Sequence, residues 1–413
     1  MADEPPASYL TPMPFDTDIV ISGAGPAGLA AACALGAQGH RVMLLDPDPP
    51  VIDEADPQAD LRTTALLQPG RDLLDRAGAW DALAPHGAEL WTMRIVDAAS
   101  DPPVERDFDS RDVSEAPFGW NLPNWLLRRE LLARAEALET VELRLGTGFA
   151  GLLAREAEAR VRLSDGGTVV ARLVLACDGR DSPVRRAAGI DATTLDYGQT
   201  ALVFAVAHDR PHGDVSTEIH RAGGPFTLVP LPDADGRHRS SIVWMDDAEV
   251  QARRMDMDDA AFAAAVQDRS ADVMGPLTVL SRRAAWPILT RVAHRMTARR
   301  VALAAEAAHA MPPIGAQGLN TSLADVAALR DLAAEAGPEL GGRAMLDAYA
   351  RRRHPDVLAR AAGIDLLNRT SIAGAAPLQA ARAWGVGTLH DVAPVRRMLM
   401  RMGLGHGPFA RMG

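Results

Sequence analysis

Glycine-rich residues near the start of the chain have the types and spacing of a phosphate-binding loop. A run from Gly23 to Gly28 carries a further glycine at Gly25, and Asp46 follows it along the chain. Glycines let a backbone approach a pyrophosphate, a helix N-terminus favours the phosphate charge, and an acid after the next strand accepts a ribose hydroxyl. The run therefore predicts a dinucleotide site if it joins a strand to a helix.

The flanking sequence supplies these elements. Residues 18–22 are typical of a short buried strand, residues 29–37 of a helix of small residues, and residues 41–45 of a second strand that ends at Asp46. The apolar window 19–35 contains several glycines and a proline, which suit a tight turn and not a membrane span. We therefore predict a βαβ unit and no transmembrane helix.

A second glycine run, residues 146–151, has a different context. The residues after it alternate like a strand and turn at Asp165-Gly166, so no helix N-terminus faces a phosphate. We predict that this run binds no dinucleotide and that the chain holds a single one.

Two later stretches follow strand-like sequence in the same way. Asp178-Gly179 follows the buried pattern of residues 173–177, although Asp-Gly alone is also an ordinary turn. Residues 301–304 predict a strand that leads to Glu306, a proline pair and a helix opening at residues 318–320. That helix N-terminus could stabilise negative charge on a bound ring system. His309 is either a structural histidine or a base, and no nucleophile signature accompanies it.

Composition narrows the function classes. The chain has 413 residues, with 43 basic and 54 acidic side chains and 47% hydrophobic residues, which indicates folded domains. It contains no lysine, which excludes a Walker A loop and Schiff-base chemistry. Two cysteines, Cys33 and Cys177, are too few for a zinc or iron–sulfur site, and we predict no metal. The net charge of −11 argues against nucleic acid, and the N-terminus lacks the basic region of a signal peptide, so a cytoplasmic location is expected.

Taken in order, the three stretches resemble the motifs of the single-component FAD-dependent aromatic hydroxylases, the group that includes para-hydroxybenzoate hydroxylase. Within this group the chain is similar to the ubiquinone-biosynthesis hydroxylases of the UbiH/UbiF/VisC type. The similar stretches are Arg62-Thr63-Thr64-Ala65-Leu66, Gly224-Pro225-Phe226, Ser241-Ile242-Val243-Trp244, Pro313-Ile314-Gly315-Ala316-Gln317-Gly318-Leu319-Asn320 and residues 349–369. One position departs from the family pattern: Ala305-Glu306 stands where the family has Gly-Asp.

The resemblance implies an α/β fold with a Rossmann-like FAD-binding domain, an inserted α+β substrate domain and a helical C-terminal region. The expected FAD-binding domain has a first part at residues 1–196, with substrate-side segments at about 70–125, and a second part at 291–370. The expected substrate domain is residues 197–290, and the helical tail is residues 371–413. It also implies that NADPH or NADH reduces the flavin and that O₂ supplies the oxygen atom transferred to a phenol. The expected substrate is a polyprenylated phenol of ubiquinone biosynthesis.

The resemblance also assigns site residues. Gly23, Gly25, Gly28 and Asp46 are expected to bind the adenosine diphosphate part of FAD. Asp178 and Glu306 are expected to bind the pyrophosphate and ribityl region, and Arg128 to compensate charge near FAD. Backbone groups of Gly318, Leu319 and Asn320 face the flavin pyrimidine edge, and Arg62 and Gln68 lie near the isoalloxazine. Pro313, Gly315 and Arg62 are the catalytic candidates on the oxygen-reacting face, and Asp178-Gly179 also contacts the nicotinamide cofactor.

Two other functions stay open at this stage. A hydroxylase of a soluble aromatic or polyketide substrate shares the three motifs, and a non-catalytic lipid-binding or scaffold subunit is suggested by the Ala305-Glu306 change. The C-terminal arginines, Arg396, Arg397, Arg401 and Arg411, interleave with methionines, so this tail is either a packed helix or a peripheral contact with the inner membrane or with partner enzymes.

Overall fold

A computed structural model describes residues 15–98, 103–221 and 223–372, together with Arg397 and Met400. Its strands are β1 Ile19–Ser22, β2 Val42–Asp46, β3 Thr63–Leu67, β4 Ala88–Leu90, β5 Thr92–Asp97, β6 Val104–Asp109, β7 Gly119–Pro123, β8 Val141–Leu145, β9 Phe149–Ala154, β10 Ala159–Leu163, β11 Thr168–Ala171, β12 Leu173–Ala176, β13 Ala192–His208, β14 Val215–His220, β15 Phe226–Ala234, β16 Arg237–Asp247, β17 Leu277–Val279, β18 Ala284–Ala293, β19 Thr297–Ala298, β20 Val301–Leu303 and β21 His309–Ala310. Its α-helices are α1 Pro26–Gly36, α2 Gln68–Arg76, α3 Trp80–Leu83, α4 Asn124–Glu136, α5 Pro183–Ala187, α6 Ala248–Met255, α7 Asp259–Arg269, α8 Gln317–Ala336 and α9 Arg343–Ile372.

The predicted βαβ unit lies at the centre of a sheet ordered β19-β20-β12-β1-β2-β8. β1 pairs in parallel with both β2 and β12, and β20 continues the parallel arrangement beyond β12. Every residue of β1, β12 and β20 is buried, which explains their continuous apolar sequence, because helices cover both faces of such a sheet. The carboxyl ends of these strands therefore meet at one edge, where ligands bind in open α/β folds.

Helix α1 begins three residues earlier than its sequence pattern predicts. Pro26 occupies its first turn, where a missing N–H costs nothing and the fixed φ suits a helix. From Ala27 to Gly36 every residue is buried, and α1 packs against α4 and α8. Small residues throughout α1 allow this close approach, and the helix N-terminus is thereby held at the carboxyl edge of the sheet.

A second large sheet is ordered β21-β18-β13-β16-β15-β14-β5-β6, with β17 also paired to β13. One face packs on α7 through a core that includes Phe204, Trp244 and Phe262. Its other face presents Ala201, Val203 and Val243 towards the first sheet. A small sheet, β3-β7-β4, is formed by strands that alternate along the chain with those of the large sheets, and Arg62, which precedes β3, lines the cleft between the sheets.

The predicted α/β fold class is confirmed, while the domain boundaries remain a prediction. The second glycine run leads into β9 and not into a helix, in agreement with the sequence analysis. The C-terminal tail at 371–413 lies almost entirely outside the described residues. Over the part of the chain that the structure describes, no helix has the length and apolarity needed to cross a membrane.

Candidate active site

Three motif loops leave adjacent strands at the carboxyl edge of the parallel sheet. Gly23 N–H donates to the Leu45 carbonyl at 2.7 Å, and Cys177 N–H donates to the Ser22 carbonyl at 2.8 Å. Ala304 N–H likewise donates to the Ala176 carbonyl at 2.9 Å. The sheet register thus brings together the glycine loop, Asp178-Gly179 and Ala305-Glu306, which are far apart in the sequence.

The glycines of the first loop serve two different needs. Gly23 has φ +108°, and a Cβ there would collide with the Cys177 carbonyl; a Cβ on Gly28 would collide with the Gly23 carbonyl. By contrast, a Cβ on Gly25 would meet no neighbour within 4 Å among the described residues. Packing therefore requires Gly23 and Gly28, whereas the bare backbone at Gly25 faces open space at the N-terminus of α1.

Asp46 lies beside this loop at the end of β2. Its Oδ2 accepts from Ala24 N–H at 2.6 Å and its Oδ1 accepts from Asp48 N–H at 3.0 Å. The carboxylate therefore fixes the glycine loop to the second strand. This position is also the one that a ribose-binding acid occupies in such folds.

Asp178 points into the junction between β12 and α5. Burial raises the pKa of its carboxyl, against the Val184 N–H, which donates to Oδ2 at 3.1 Å. Oδ1 is buried and has no hydrogen-bond partner within the described part of the chain. A buried carboxylate oxygen of this kind is costly unless a ligand satisfies it.

The two cysteines lie under this edge. Burial raises the pKa of the Cys177 thiol and raises that of Cys33 to about 12. Cys33 Sγ donates to the Leu131 carbonyl at 3.3 Å. Both side chains therefore act as small apolar packing groups.

The Ala305-Glu306 turn is held from inside the fold. Ala305 adopts φ +55°, a left-handed conformation that suits the glycine of the family pattern better than alanine. Asp325 Oδ2, fully buried on α8, accepts from Ala305 N–H at 3.1 Å and from His309 Nε2 at 2.6 Å. Arg353 Nε donates to Asp325 Oδ1 at 2.7 Å. Burial alone would raise the pKa of Asp325, but His309 and Arg353 outweigh it and lower the pKa.

His309 is thereby accounted for structurally. Its side chain is buried and its Nε2 is engaged by Asp325, in agreement with the structural-histidine alternative. Glu306, in contrast, is half-exposed and pairs with Arg180 Nε at 3.3 Å. The extra methylene of glutamate gives the carboxylate this reach while leaving it at the edge of the sheet.

Arg62 is placed by a carboxylate that the sequence analysis missed. Asp60 Oδ1 and Oδ2 accept from Arg62 Nε and Nη2 at 2.9 and 2.7 Å. Asp60 also accepts from Asn124 Nδ2 at 3.0 Å, and Arg128 lies 3.6 Å away. The Arg62 guanidinium stacks on the Trp286 ring at 3.9 Å, so it joins the small sheet to the second large one.

The pKa values at this cluster follow from the pairing. Burial alone would raise the pKa of Asp60, but Arg62, Asn124 and Arg128 outweigh it and hold the pKa below its usual value. Burial alone would likewise lower the pKa of Arg62, and Asp60 and Glu306 raise it instead. The pair is therefore ionised at neutral pH.

The N-terminus of α8 forms the remaining wall. Gly315 and Ala316 have φ +62° and +57°, which turns the chain sharply into the helix, and a Cβ on Gly318 would meet open space among the described residues. Asn320 Oδ1 accepts from Leu67 N–H at 2.9 Å, and its Nδ2 donates to the Ala65 carbonyl at 2.8 Å. The Asn320 side chain therefore ties α8 to β3 and leaves only its backbone for a ligand; Leu319 packs partly against the core.

Gln68 lies at the start of α2 and contacts the loop before β7. Its Nε2 donates to Ser114 Oγ at 3.0 Å and to the Pro117 carbonyl at 2.8 Å. The amide thus holds the loop before β7, and its position beside a flavin ring stays a prediction.

A cleft of about 120 Å³ lies where the two large sheets and the small sheet meet. Arg62, Arg180, Glu306 and Pro313 line it together with apolar side chains of β13, β16 and β18. The structure thus brings Arg62, Glu306 and Pro313 to one cleft, with Arg180 as a neighbour to which the sequence analysis gave no role.

This fold and site define a flavoprotein of the FAD-binding aromatic hydroxylase class. Residues 16–362 match the family described as FAD binding domain, and the chain belongs to that family. It is 34% identical to the ubiquinone hydroxylase UbiL of Rhodospirillum rubrum, over 94% of this chain and 89% of that protein. It is 27% identical to the 3-demethoxyubiquinol 3-hydroxylase of Escherichia coli, over 94% and 98% of the two chains.

Solved structures agree in fold. The p-nitrophenol 4-monooxygenase PnpA of Pseudomonas putida superposes with a TM-score of 0.77 at 20% identity, over 95% of this chain and 99% of that one. The predicted family resemblance and the predicted FAD cofactor are confirmed.

The residues at the carboxyl edge fit FAD. A bound dinucleotide could occupy the open space beside the backbone of Gly25 and Gly318. It could also donate a hydrogen bond to Asp178 Oδ1, which has no partner within the described residues. Arg128 Nε is also buried without a partner among the described residues. The individual roles assigned to these residues remain proposals.

Proposed function

We propose that this protein hydroxylates the aromatic ring of a polyprenylated phenol in ubiquinone biosynthesis, with bound FAD, NADPH or NADH as reductant and O₂ as oxygen source. The observation that carries this proposal is the cleft in which Arg62, Arg180, Glu306 and Pro313 converge beside the apolar wall of the second large sheet. The full-length similarity to ubiquinone hydroxylases supports the choice of substrate class.

The protein groups would bind and orient the cofactor. Gly25, the N-terminus of α1 and Asp46 would hold the adenosine diphosphate end, while Asp178 and Glu306 would hold the pyrophosphate and ribityl region. Gly23 and Gly28 would shape that loop, and Gly179 would keep the backbone open beside it. When bound, the flavin supplies hydride acceptance and oxygen activation.

The cleft would position the ring that reacts. Gly318, Leu319 and Asn320 would present backbone N–H groups of α8 to the flavin ring, where the helix N-terminus stabilises negative charge. Pro313 and Gly315 would shape the face where O₂ reacts. The apolar side chains of β13 and β16 would exclude water, which protects a reactive oxygen donor from wasteful breakdown.

The half-exposed Glu306 favours catalysis over a scaffold role. Its carboxylate lines the cleft and keeps the charge of the aspartate in the family pattern. A hydroxylase of a soluble aromatic shares this cleft, and the experiment below separates the two.

Contact with a membrane or with partner enzymes belongs to the same proposal. The tail that carries Arg396, Arg397, Arg401 and Arg411 lies almost entirely outside the described residues, so its sequence alone supports this part. Changing these four arginines to glutamine should reduce co-sedimentation with anionic vesicles if the tail binds lipid. Unchanged co-sedimentation would remove the lipid contact from the proposal.

The test of function is a mass-spectrometric profile of isoprenoid quinones in cells that lack the gene. Loss of ubiquinone, with accumulation of a prenylated phenol short of oxygen, is expected, and its ring pattern names the carbon. Complementation with the wild-type gene is the control. An unchanged quinone pool in the deletion strain would favour a soluble aromatic substrate. Purified protein that stays colourless after incubation with FAD would contradict the flavoprotein assignment.

A further inference from the structure

Two hydroxyl groups interrupt the apolar wall of the cleft. Thr63, at the start of β3, and Ser241, on β16, both line the cleft, and their Oγ1 and Oγ atoms are 2.8 Å apart. Their neighbours on the sheet side, Ala201, Val203 and Val243, carry no polar side-chain atoms. The pair therefore places two hydroxyl groups next to these apolar side chains.

The two hydroxyls have hydrogen-bonding capacity to spare. They carry two hydrogens, and one of these makes the short bond between them. Within the described residues, the other acceptor near Ser241 Oγ is the Val229 carbonyl at 3.4 Å, and Asn121 Nδ2 donates to Ser241 Oγ at the same length. Bonds of 3.4 Å are weak, so one hydrogen and the lone pairs of the pair can serve a ligand.

The charged groups in the cleft already have partners. Arg62 is held by Asp60 through two short bonds, and Arg180 pairs with Glu306. An aromatic carboxylate would need an uncompensated cation, because burying an unpaired charge is costly. The cleft therefore suits an uncharged ring.

A phenolic hydroxyl matches the hydroxyl pair. It both donates and accepts a hydrogen bond, as Thr63 and Ser241 do, whereas Trp286, which also lines the cleft, has a buried N–H that can only donate. We propose that Thr63 and Ser241 bind the phenolic oxygen of an uncharged aromatic substrate and that the cleft disfavours aromatic carboxylates. This inference rests on the proposed function and specifies its substrate.

Binding without turnover tests the subsite. Dissociation constants would be measured by equilibrium dialysis with the oxidised holoenzyme and no nicotinamide cofactor. The probes are 2-prenylphenol, its methyl ether and 3-prenyl-4-hydroxybenzoate. We expect the wild type to prefer the phenol over each of the others by about tenfold, which corresponds to one hydrogen bond or one uncompensated charge.

Variants then locate the preference. Ser241→Ala combined with Thr63→Val should reduce the preference for the phenol over its ether to less than about twofold, and each single change should reduce it about threefold. Thr63→Ser retains both hydroxyls and should keep the wild-type preference. Ser240→Ala is the matched control, because Ser240 lies one residue away and bonds His208 Nε2 at 2.9 Å.

The outcomes separate this inference from the proposed function. A double variant that keeps the tenfold preference, or a wild type that binds the carboxylate as tightly as the phenol, would overturn the subsite while leaving the quinone profile untouched. A wild type that binds none of the probes, together with an unchanged quinone pool, would overturn the proposed function as well. If the double variant does not fold, the single variants and Thr63→Ser decide the question.

Discussion

Asp325 Oδ2, fully buried on α8, accepts the Ala305 amide hydrogen at 3.1 Å, so the turn that carries Glu306 is fixed from the core. Arg353 and His309 hold the same carboxylate. This buried network explains how Ala305 is kept in a left-handed conformation that alanine rarely adopts.

Ala305→Gly should stabilise the protein. A left-handed alanine costs roughly 1–2 kcal/mol, which glycine avoids. Because glycine also increases the entropy of the unfolded chain, part of this gain is offset. We therefore expect the free energy of unfolding to rise by about 1 kcal/mol. Urea denaturation of the FAD-free protein would measure it. Ala307→Gly, in the same turn but without a positive φ, should instead be destabilising. Equal losses in both variants would contradict the strain at Ala305.

Gly25→Ala and Gly28→Ala should separate cofactor binding from folding. A Cβ on Gly25 enters open space, so the free energy of unfolding without FAD should change by less than about 1 kcal/mol, while the dissociation constant for FAD rises at least tenfold. Gly28→Ala should destabilise the FAD-free protein by about 1–3 kcal/mol through overpacking. Fluorescence titration with FAD and urea denaturation give the two readouts. Normal FAD affinity in Gly25→Ala would contradict the assigned pyrophosphate site.

Glu306→Ala should weaken FAD binding more than it affects stability. The ion pair with Arg180 is partly exposed and contributes less than about 1 kcal/mol to the free energy of unfolding. Loss of a carboxylate that faces the ligand should instead raise the FAD dissociation constant about tenfold. Glu306→Asp keeps the charge and should stay within about threefold of the wild type. Glu156→Ala, at an exposed pair with Arg299, is the control and should change neither quantity. A large loss of FAD-free stability in Glu306→Ala would point to a structural role.

Asp60→Asn should make stability less dependent on acidic pH. Because the folded-state pKa of Asp60 is lowered, its contribution is present above the unfolded pKa of about 3.9 and is lost as pH falls through the folded value. At pH 7 we expect the variant to have a free energy of unfolding about 2 kcal/mol below that of the wild type, a figure discounted because Arg62 is one-third exposed. The difference between the two proteins should become smaller below about pH 4. Urea denaturation from pH 3 to 7 would measure this. Asp72→Asn, at an exposed pair, should show no such narrowing.

The βαβ unit and the three motif loops could be predicted because short-range patterns specify them. The burial of β1, the proline at the start of α1 and the glycines of the loop each follow from local sequence.

Long-range partners could not be predicted. Asp60 has no local signal, since its role depends on Asn124 and Arg128 from α4. The same holds for Asp325, which reaches Ala305, and for Ser241, which meets Thr63 across 178 residues of sequence. Tertiary packing, which a single sequence does not display, decides these contacts.

The two buried cysteines have a consequence for the chemical durability of the protein. Thiolates, not thiols, are oxidised readily, and Cys33 and Cys177 are shielded from solvent with raised pKa values. Enzymes that activate O₂ release some hydrogen peroxide whenever oxygen transfer to the substrate fails. A thiolate beside the cofactor would be oxidised by this peroxide first. Because Cys177 is buried against the glycine loop, its thiol should be oxidised slowly while that loop is folded.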